Sequence, residues 1–310
     1  METCIIVPSH INNINRTKLF ICCIQSLINQ TEPIPIYLSV SFETELDKTL
    51  FDRLVKKINL FDDTIIHIIF REKKTSQFRH IEKVIDIIKD NYKYVMFCDD
   101  DDTYENDRVK SFINMIKCGH NSCPEDKIFV GVYEMTNSES HSTRFYEYWS
   151  YCINVNFIIN FINIIKINNY DYVIDNKFCD VLFSTYLRHL DNKHLFVSID
   201  EKLYNYNRNV YSITIKTLKQ NEINHKKAKI NERNFETFIR GLNEHIEENI
   251  NDVKDNILLL CSTKMSFENI LKKLLEENYE FKNNINNTIE KIKNEYDDIK
   301  YLCDILYQYK

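Results

Sequence analysis

Only three glycines, Gly119, Gly131 and Gly241, occur in 310 residues. Neither a Walker loop nor a G-x-G-x-x-G fingerprint can be written with glycines so far apart, so no Gly-rich loop cradles phosphate here. Any bound phosphate must be held by other means. Long apolar runs are missing as well: the stretch Ile158 to Ile165 is broken by Asn160 and Asn163 and falls short of the roughly 20 residues a membrane span needs. No basic leader or small-residue cleavage site precedes the apolar run that stops at Pro8, so the expectation is a soluble, cytoplasmic chain without a membrane span. There is no excess of cations either. Forty Lys+Arg face 46 Asp+Glu, a net charge of -6, which gives no field for a polyanion and argues against nucleic acid as a partner.

What is present describes a globular protein, with 44% hydrophobic and 13% aromatic residues. The ten cysteines are scattered without a secretory signal and read as reduced thiols. Cys118, His120 and Cys123 offer three soft ligands but no fourth nearby, so the segment reads as a surface loop and not as a zinc site.

Two periodicities alternate along the first half. Cys4 to Val7 is a short apolar run, and Asn15 to Asn29 then carries apolar residues at helical spacing. Strand and helix repeat as Ile36 to Val40 with Leu46 to Ile58, then Thr64 to Phe70 with Phe78 to Lys89, before Tyr94 to Cys98 forms a fourth, nearly all-apolar strand. Strands apolar on both faces, alternating with helices, imply an α/β fold with a parallel sheet flanked by helices. Ligands of such sheets bind beyond the carboxyl ends of the strands. From about Lys216 the pattern changes. Glu232 to Glu247, Asn251 to Cys261, Phe267 to Tyr279 (with Ser266 as N-cap) and Asn283 to Tyr309 read as amphipathic helices, a charge-balanced appendage able to pair with another subunit as a homodimer.

The chemistry is expected directly after the fourth strand, where Asp99, Asp100, Asp101 and Asp102 follow Phe97-Cys98. Isolated, such a run is an acidic turn with one Asp capping a helix. At the carboxyl edge of a buried strand, clustered hard oxygens suit Mg²⁺ or Mn²⁺, with substrate phosphates completing the octahedron.

At this point the sequence resembles the GT-A glycosyltransferases of the family 2 type. Ile5-Ile6-Val7-Pro8-Ser9-His10, with Asn12 or Asn13 and Arg16 beyond, looks like that family's V-P-T-Y-N-R opening. Cys23 to Thr31 resembles its first helix, and Gln77-Phe78-Arg79-His80 stands in the place of its A-R-N stretch. Tyr94 to Arg108 is similar to its hallmark segment, with Asp99 and Asp101 as the D-x-D pair. Phe178-Cys179-Asp180 sits where the family carries E-D before an apolar helix, and Leu203 to Asn209 with Ser212 resembles its closing L-Y-x-Y-R-x-H-x-x-S element. The resemblance covers residues 1–215 and leaves 216–310 as a helical extension.

The resemblance implies a GT-A fold with a mostly parallel central sheet. It also implies a metal-dependent, inverting transfer of a sugar from a nucleotide-diphosphate sugar, UDP-linked by preference, to a hydroxyl of a glycan or other acceptor. Asp101 is the expected direct ligand of Mn²⁺ or Mg²⁺, Asp99 contacts the ribose or a metal-bound water, and Asp102 is a further ligand. Asp180 is the expected base, with an N-cap as its bland reading and Asp175 as its rival. Pro8, Ser9, His10, Glu43, Asp99 and Asp100 are assigned to the donor pocket, with Ser41 as an alternative to Glu43, and Arg79 to the diphosphate. Asn209 replaces a metal-ligating His, and Arg208 is left to contact phosphate. Tyr148 and Trp149, in the aromatic run Phe145 to Tyr151, are the acceptor-platform candidates, with burial in the core as the commoner fate of such rings. Two other readings stay open. Asp99-x-Asp101-x-Thr103 also spells the nucleophile motif of haloacid-dehalogenase-like Mg²⁺ phosphatases, with Asp99 as nucleophile. A degenerate sugar-binding scaffold with a partner-binding tail is the other.

Overall fold

The computed structural model describes residues 2–60, 65–134, 147–190, 194–207, 257–258, 261 and 284–308. Its chain divides into two compact units, Met1–Tyr206 with Leu302–Lys310, and Asn207–Tyr301.

In the first unit the expected strand–helix alternation forms. The strands β1 (Thr3–Ile11), β2 (Ile36–Phe42) and β3 (Ile66–Phe70) alternate with the helices α1 (Ile14–Ile28), α2 (Glu45–Lys57) and α3 (Gln77–Ile88), and β4 (Tyr94–Phe97) follows. Each helix start is capped as its sequence suggests: Asn13, Thr44 and Ser76 accept from the backbone N–H groups of Arg16, Asp47 and Arg79. The chain continues through β5 (Thr103–Tyr104), α4 (Arg108–Ser122), β6 (Ile128–Glu134), β7 (Tyr151–Asn154), α5 (Val155–Ile167), α6 (Cys179–His189), β8 (His194–Ile199) and β9 (Tyr204–Asn205).

Seven strands make one sheet in the order β3-β2-β1-β4-β7-β6-β8. It is mostly parallel, as the resemblance implies. Only β7 runs against its neighbours, pairing antiparallel with β4 and β6. Both faces are covered. Ile5, Val7, Leu38, Val40 and Met96 share a buried cluster with Phe20 and Ile24 of α1, Phe51 of α2 and Phe112 of α4. Alternate residues of β4 point the other way, where Phe97 meets Phe183 and the rings of Phe78, Phe161 and Phe183 pack together at centroid distances of 4.9–5.5 Å. In β6, Gly131 sits at a register shift, and a Cβ there would meet the Cys152 carbonyl oxygen at 2.1 Å, so only glycine fits between β7 and β8.

Two expectations are corrected here. The first strand does not stop at Pro8 but runs to Ile11. Pairing with β4 ends at Ile6–Phe97, so the missing Pro8 N–H costs no ladder bond on that side while β2 continues alongside. The Cys118–Cys123 segment is not a loop, because α4 runs through Gly119 and His120 as far as Ser122.

The tail helix expected over Asn283 to Tyr309 is present as α7 (Asn284–Gln308). Within the first unit, the His189 ring stacks on Tyr307 at 4.3 Å. The helices expected over Glu232 to Glu247 and Phe267 to Tyr279, most of Asn251 to Cys261, the 215/216 boundary, Arg208 and Asn209 lie outside the described residues. Among the described residues no helix is long and apolar enough to cross a membrane.

Candidate active site

Because β1, β2 and β4 are mutually parallel, their carboxyl ends lie on one edge. Ser9 and His10, Ser41 with Glu43, and the four aspartates after β4 therefore meet there. β7 runs the opposite way, and its pairing of Cys152 with Met96 brings the preceding turn, Tyr148–Ser150, to the same edge.

The four aspartates are held individually. Asp100 is buried, and both its oxygens are taken: Oδ2 accepts from Ser9 Oγ at 2.5 Å and Arg16 Nε at 3.1 Å, and Oδ1 from Arg16 Nη2. The same guanidinium donates through Nη1 to Asp101 Oδ2 at 2.7 Å. Arg16 is thus the cation that offsets the repulsion within the acid turn, and the carboxylates hold its own pKa high against desolvation. Asp99 Oδ1 accepts from Tyr148 Oη and from Gln77 Nε2, and Gln77 Nε2 also reaches Tyr148 Oη at 2.9 Å. Burial pushes the Asp99 carboxyl well up, the nearby charge of Asp102 adds to this, and the Tyr148 hydroxyl opposes it. Asp102 Oδ2 accepts from Tyr204 Oη at 2.7 Å.

Asp180 stands in the first turn of α6. The residue before that helix, Phe178, makes no side-chain cap, so the N-cap reading of Asp180 does not hold. Its Oδ1 is sealed from solvent without a hydrogen-bond partner among the described residues. Burial raises its pKa to about 7, the Glu147 carboxylate adds to the rise, and the backbone N–H groups of Val181 and Asp180 pull against it. Its charge is felt by both Asp99 and Tyr148, which places it on the acid turn's side of the sheet edge. Asp175 is tied to Arg79 instead.

Arg79 is where the expectation fails. Its guanidinium is spent on three carboxylates, with Nε and Nη2 on Asp175 at 3.0 and 2.9 Å, Nη1 on Glu82 at 3.0 Å and on Asp171 at 3.1 Å, and Nη2 on Asp171 at 2.7 Å. Five N–H groups so engaged leave none for a diphosphate. The cation at the acid turn is Arg16. It had passed as part of a motif, although an Arg one turn into the helix after β1 is placed to reach the carboxyl edge of β4. The platform is corrected as well. Tyr148 is 1% exposed, with its ring edge-on to Phe97 and its hydroxyl on Asp99. Trp149 is buried with its ring stacked on Tyr204 at 4.1 Å. These rings build the site from inside and present no open aromatic face.

At the β1/β2 end, His10 Nδ1 lies 2.9 Å from Ser41 Oγ and Nε2 2.7 Å from Glu43 Oε2, an order that looks like a hydrolytic triad. Ser41 is fully buried, however, and its hydroxyl is shared with His80 Nε2 at 3.0 Å, so it is no nucleophile. Pro8 lies inside β1, two residues before His10.

The donor set at the acid turn is of hard oxygens and fits Mg²⁺ or Mn²⁺ chemically. Among the described residues no three His, Cys, Asp or Glu side chains converge closely enough to hold a metal alone.

No family model matches the sequence, and no curated protein matches it. Solved structures similar to this chain include three of S. aureus TarS. A crystal structure of S. aureus TarS aligns at 13% identity and a TM-score of 0.46, covering 98% of this chain and 55% of that one, so this chain spans about half its length. S. aureus TarS 1-349 in complex with UDP aligns at 14% identity and a TM-score of 0.45, covering 100% and 92%. A further crystal structure of S. aureus TarS 1-349 aligns at 12% identity and a TM-score of 0.46, with the same coverage.

Proposed function

We propose that the chain is a glycosyltransferase that takes a sugar from a nucleotide-diphosphate donor, UDP-linked by preference, and passes it with inversion to an acceptor hydroxyl. The observation that carries the reading is Asp180. A carboxylate with one oxygen buried and without a partner among the described residues, its pKa raised to about 7, faces an acid turn at the carboxyl edge of a parallel sheet. A general base works best with a pKa near the working pH, and an unpartnered oxygen is free to take a proton from a hydroxyl.

In this reading Asp101 and Asp99 would hold Mg²⁺ or Mn²⁺, with Asp102 behind them. When bound, the cation would neutralise charge developing on the departing nucleotide diphosphate. Arg16 opposes the rise that burial imposes on the Asp100 carboxyl and sets the position of Asp101. Tyr148 and Gln77 fix the rotamer of Asp99, and Glu147 keeps Asp180 basic by repulsion. Ser9, His10 and Glu43 occupy the strand ends beside the turn, where the nucleoside of the donor would lie. The phosphatase reading asks Asp99 to be a free nucleophile and Asp101 a free acid, whereas the first is held by Tyr148 and Gln77 and the second by Arg16.

The test is Asp180→Asn. Binding of UDP with Mn²⁺ should stay within about two-fold of the parent, while sugar transfer, or slow hydrolysis of the donor to UDP, should drop by roughly 10²–10⁴. Retained turnover would remove Asp180 from the role of base.

A further inference from the structure

The acid turn is held from the far end of the unit by one hydroxyl. Tyr204 comes roughly a hundred residues after the turn and lies in β9, which pairs antiparallel with β5, the two residues leaving the turn. The register sets Thr103 against Asn205 and Tyr104 against Tyr204. The Tyr204 hydroxyl accepts from the Asp99 backbone N–H at 3.1 Å and donates to Asp102 Oδ2 at 2.7 Å. It therefore bridges the first and last aspartates of the turn, which is otherwise closed by the Asp102 N–H on the Asp99 carbonyl at 3.1 Å.

The ring that carries this hydroxyl is itself fixed. One contact is the Trp149 indole, 4.1 Å away and tilted by 14°. The other is the fully buried Arg108, whose guanidinium carbon lies 5.1 Å from the Tyr204 ring centroid and 4.0 Å from that of Tyr104. Arg108 is anchored in turn by Glu134 Oε2 at 3.1 Å and by the Trp149 carbonyl at 2.9 Å. A stacked ring with two χ angles and a locked neighbour delivers its hydroxyl to one place, which a flexible polar side chain could not do.

We infer that Tyr204 is a positioning residue that sets the Asp99–Asp102 turn in the geometry the donor requires, acting through its hydroxyl and not through its bulk. The functional half of this inference rests on the glycosyltransferase reading, and the structural half does not. Without the hydroxyl, a buried N–H loses its acceptor and a buried carboxylate loses a donor, so the turn relaxes while the ring stack and the fold remain.

Tyr204→Phe tests it with two readouts. In the free protein, hydrogen exchange of the Asp99 amide, followed by mass spectrometry on overlapping peptides across 95–104, should speed up by about ten-fold or more, with β1 and β2 amides unchanged. Affinity for UDP with Mn²⁺ should fall by about ten-fold or more, the loss expected for a hydrogen bond to a charged group. Unchanged exchange at Asp99 would overturn the clamp. Faster exchange with unchanged affinity would overturn its role in donor positioning. If the parent itself binds no nucleotide diphosphate, the glycosyltransferase reading and the functional half fall together, while the exchange result still decides the clamp. Should Tyr204→Phe not fold, the parent alone is informative: its Asp99 amide must exchange as slowly as those of β4, and a fast amide there overturns the inference.

Discussion

Arg16 grips two adjacent aspartates at once, Asp100 through Nε and Nη2 and Asp101 through Nη1 at 2.7 Å. Asp100 is 2% exposed, so its charge depends on this partner and on Ser9. Removing one member of a buried pair leaves the other uncompensated. Arg16→Met should therefore destabilise the protein by about 3 kcal/mol in urea denaturation, and Asp100→Asn added to it should recover a large part. A single-variant loss below about 1 kcal/mol, the range of a surface pair, would show that Asp100 does not rely on Arg16.

The raised pKa of Asp180 makes a stability prediction with a definite sign. Its folded value of about 7 lies above the ordinary 3.8. The native state therefore holds a proton that the unfolded chain has released between those values, and the cost of ionising Asp180 in place grows as pH rises through that window. Asp180→Asn carries no such cost. Relative to the parent, its melting temperature should gain from pH 4 and level off above pH 7, reaching roughly 10 °C on a scale of about 2–4 °C per kcal/mol. A constant difference across that range would mean that Asp180 titrates normally.

Ser39, His80, Ser41, His10 and Glu43 form one hydrogen-bonded chain across the ends of β1 and β2. Lys74 and His10 hold the Glu43 carboxyl below its usual range, so ionised Glu43 can only accept, and His10 Nε2 carries a proton. His10 Nδ1 lies 2.9 Å from the Ser41 hydroxyl, which is 3.0 Å from His80 Nε2, and His80 Nδ1 lies 2.8 Å from the Ser39 hydroxyl. Burial first, then Arg71 and His10, lower the His80 pKa to about 3. The unfolded chain takes up that proton near 6.5, so stability is present above 6.5 and is lost as pH falls from there towards 3. Nitrogen-15 NMR should show His80 neutral at pH 5, and His80→Gln should flatten the fall in melting temperature between pH 6.5 and 4. A protonated His80 at pH 5 would contradict the scheme.

Much of the fold was legible because β1, β2 and β4 are apolar on both faces and the helices between them carry clean caps, as at Asn13 and Ser76. The Asp99–Asp102 turn was legible for the same reason, since an all-apolar strand fixes where its carboxyl end must be. β7 was not, because Tyr151–Asn154 is four residues long and its antiparallel direction is set by pairing on both sides, not by its own pattern. Arg79 and Trp149 were misassigned for a common cause. Residue type announces a cation or an aromatic face, but only tertiary partners, here Asp171, Asp175 and Glu82 for the one and Tyr204 for the other, decide whether it is left available. Arg16 and Tyr204 make the complementary point: each acts through a partner 84 or more positions away, beyond the reach of local pattern.

The most direct test of the glycosyltransferase reading is calorimetric titration of UDP into the full chain with and without Mn²⁺, repeated on Asp101→Asn. Binding should require UDP and Mn²⁺ together and should weaken by at least about ten-fold in Asp101→Asn. No heat with UDP or any other nucleoside diphosphate in the presence of Mn²⁺, or equal binding by Asp101→Asn, would contradict the account.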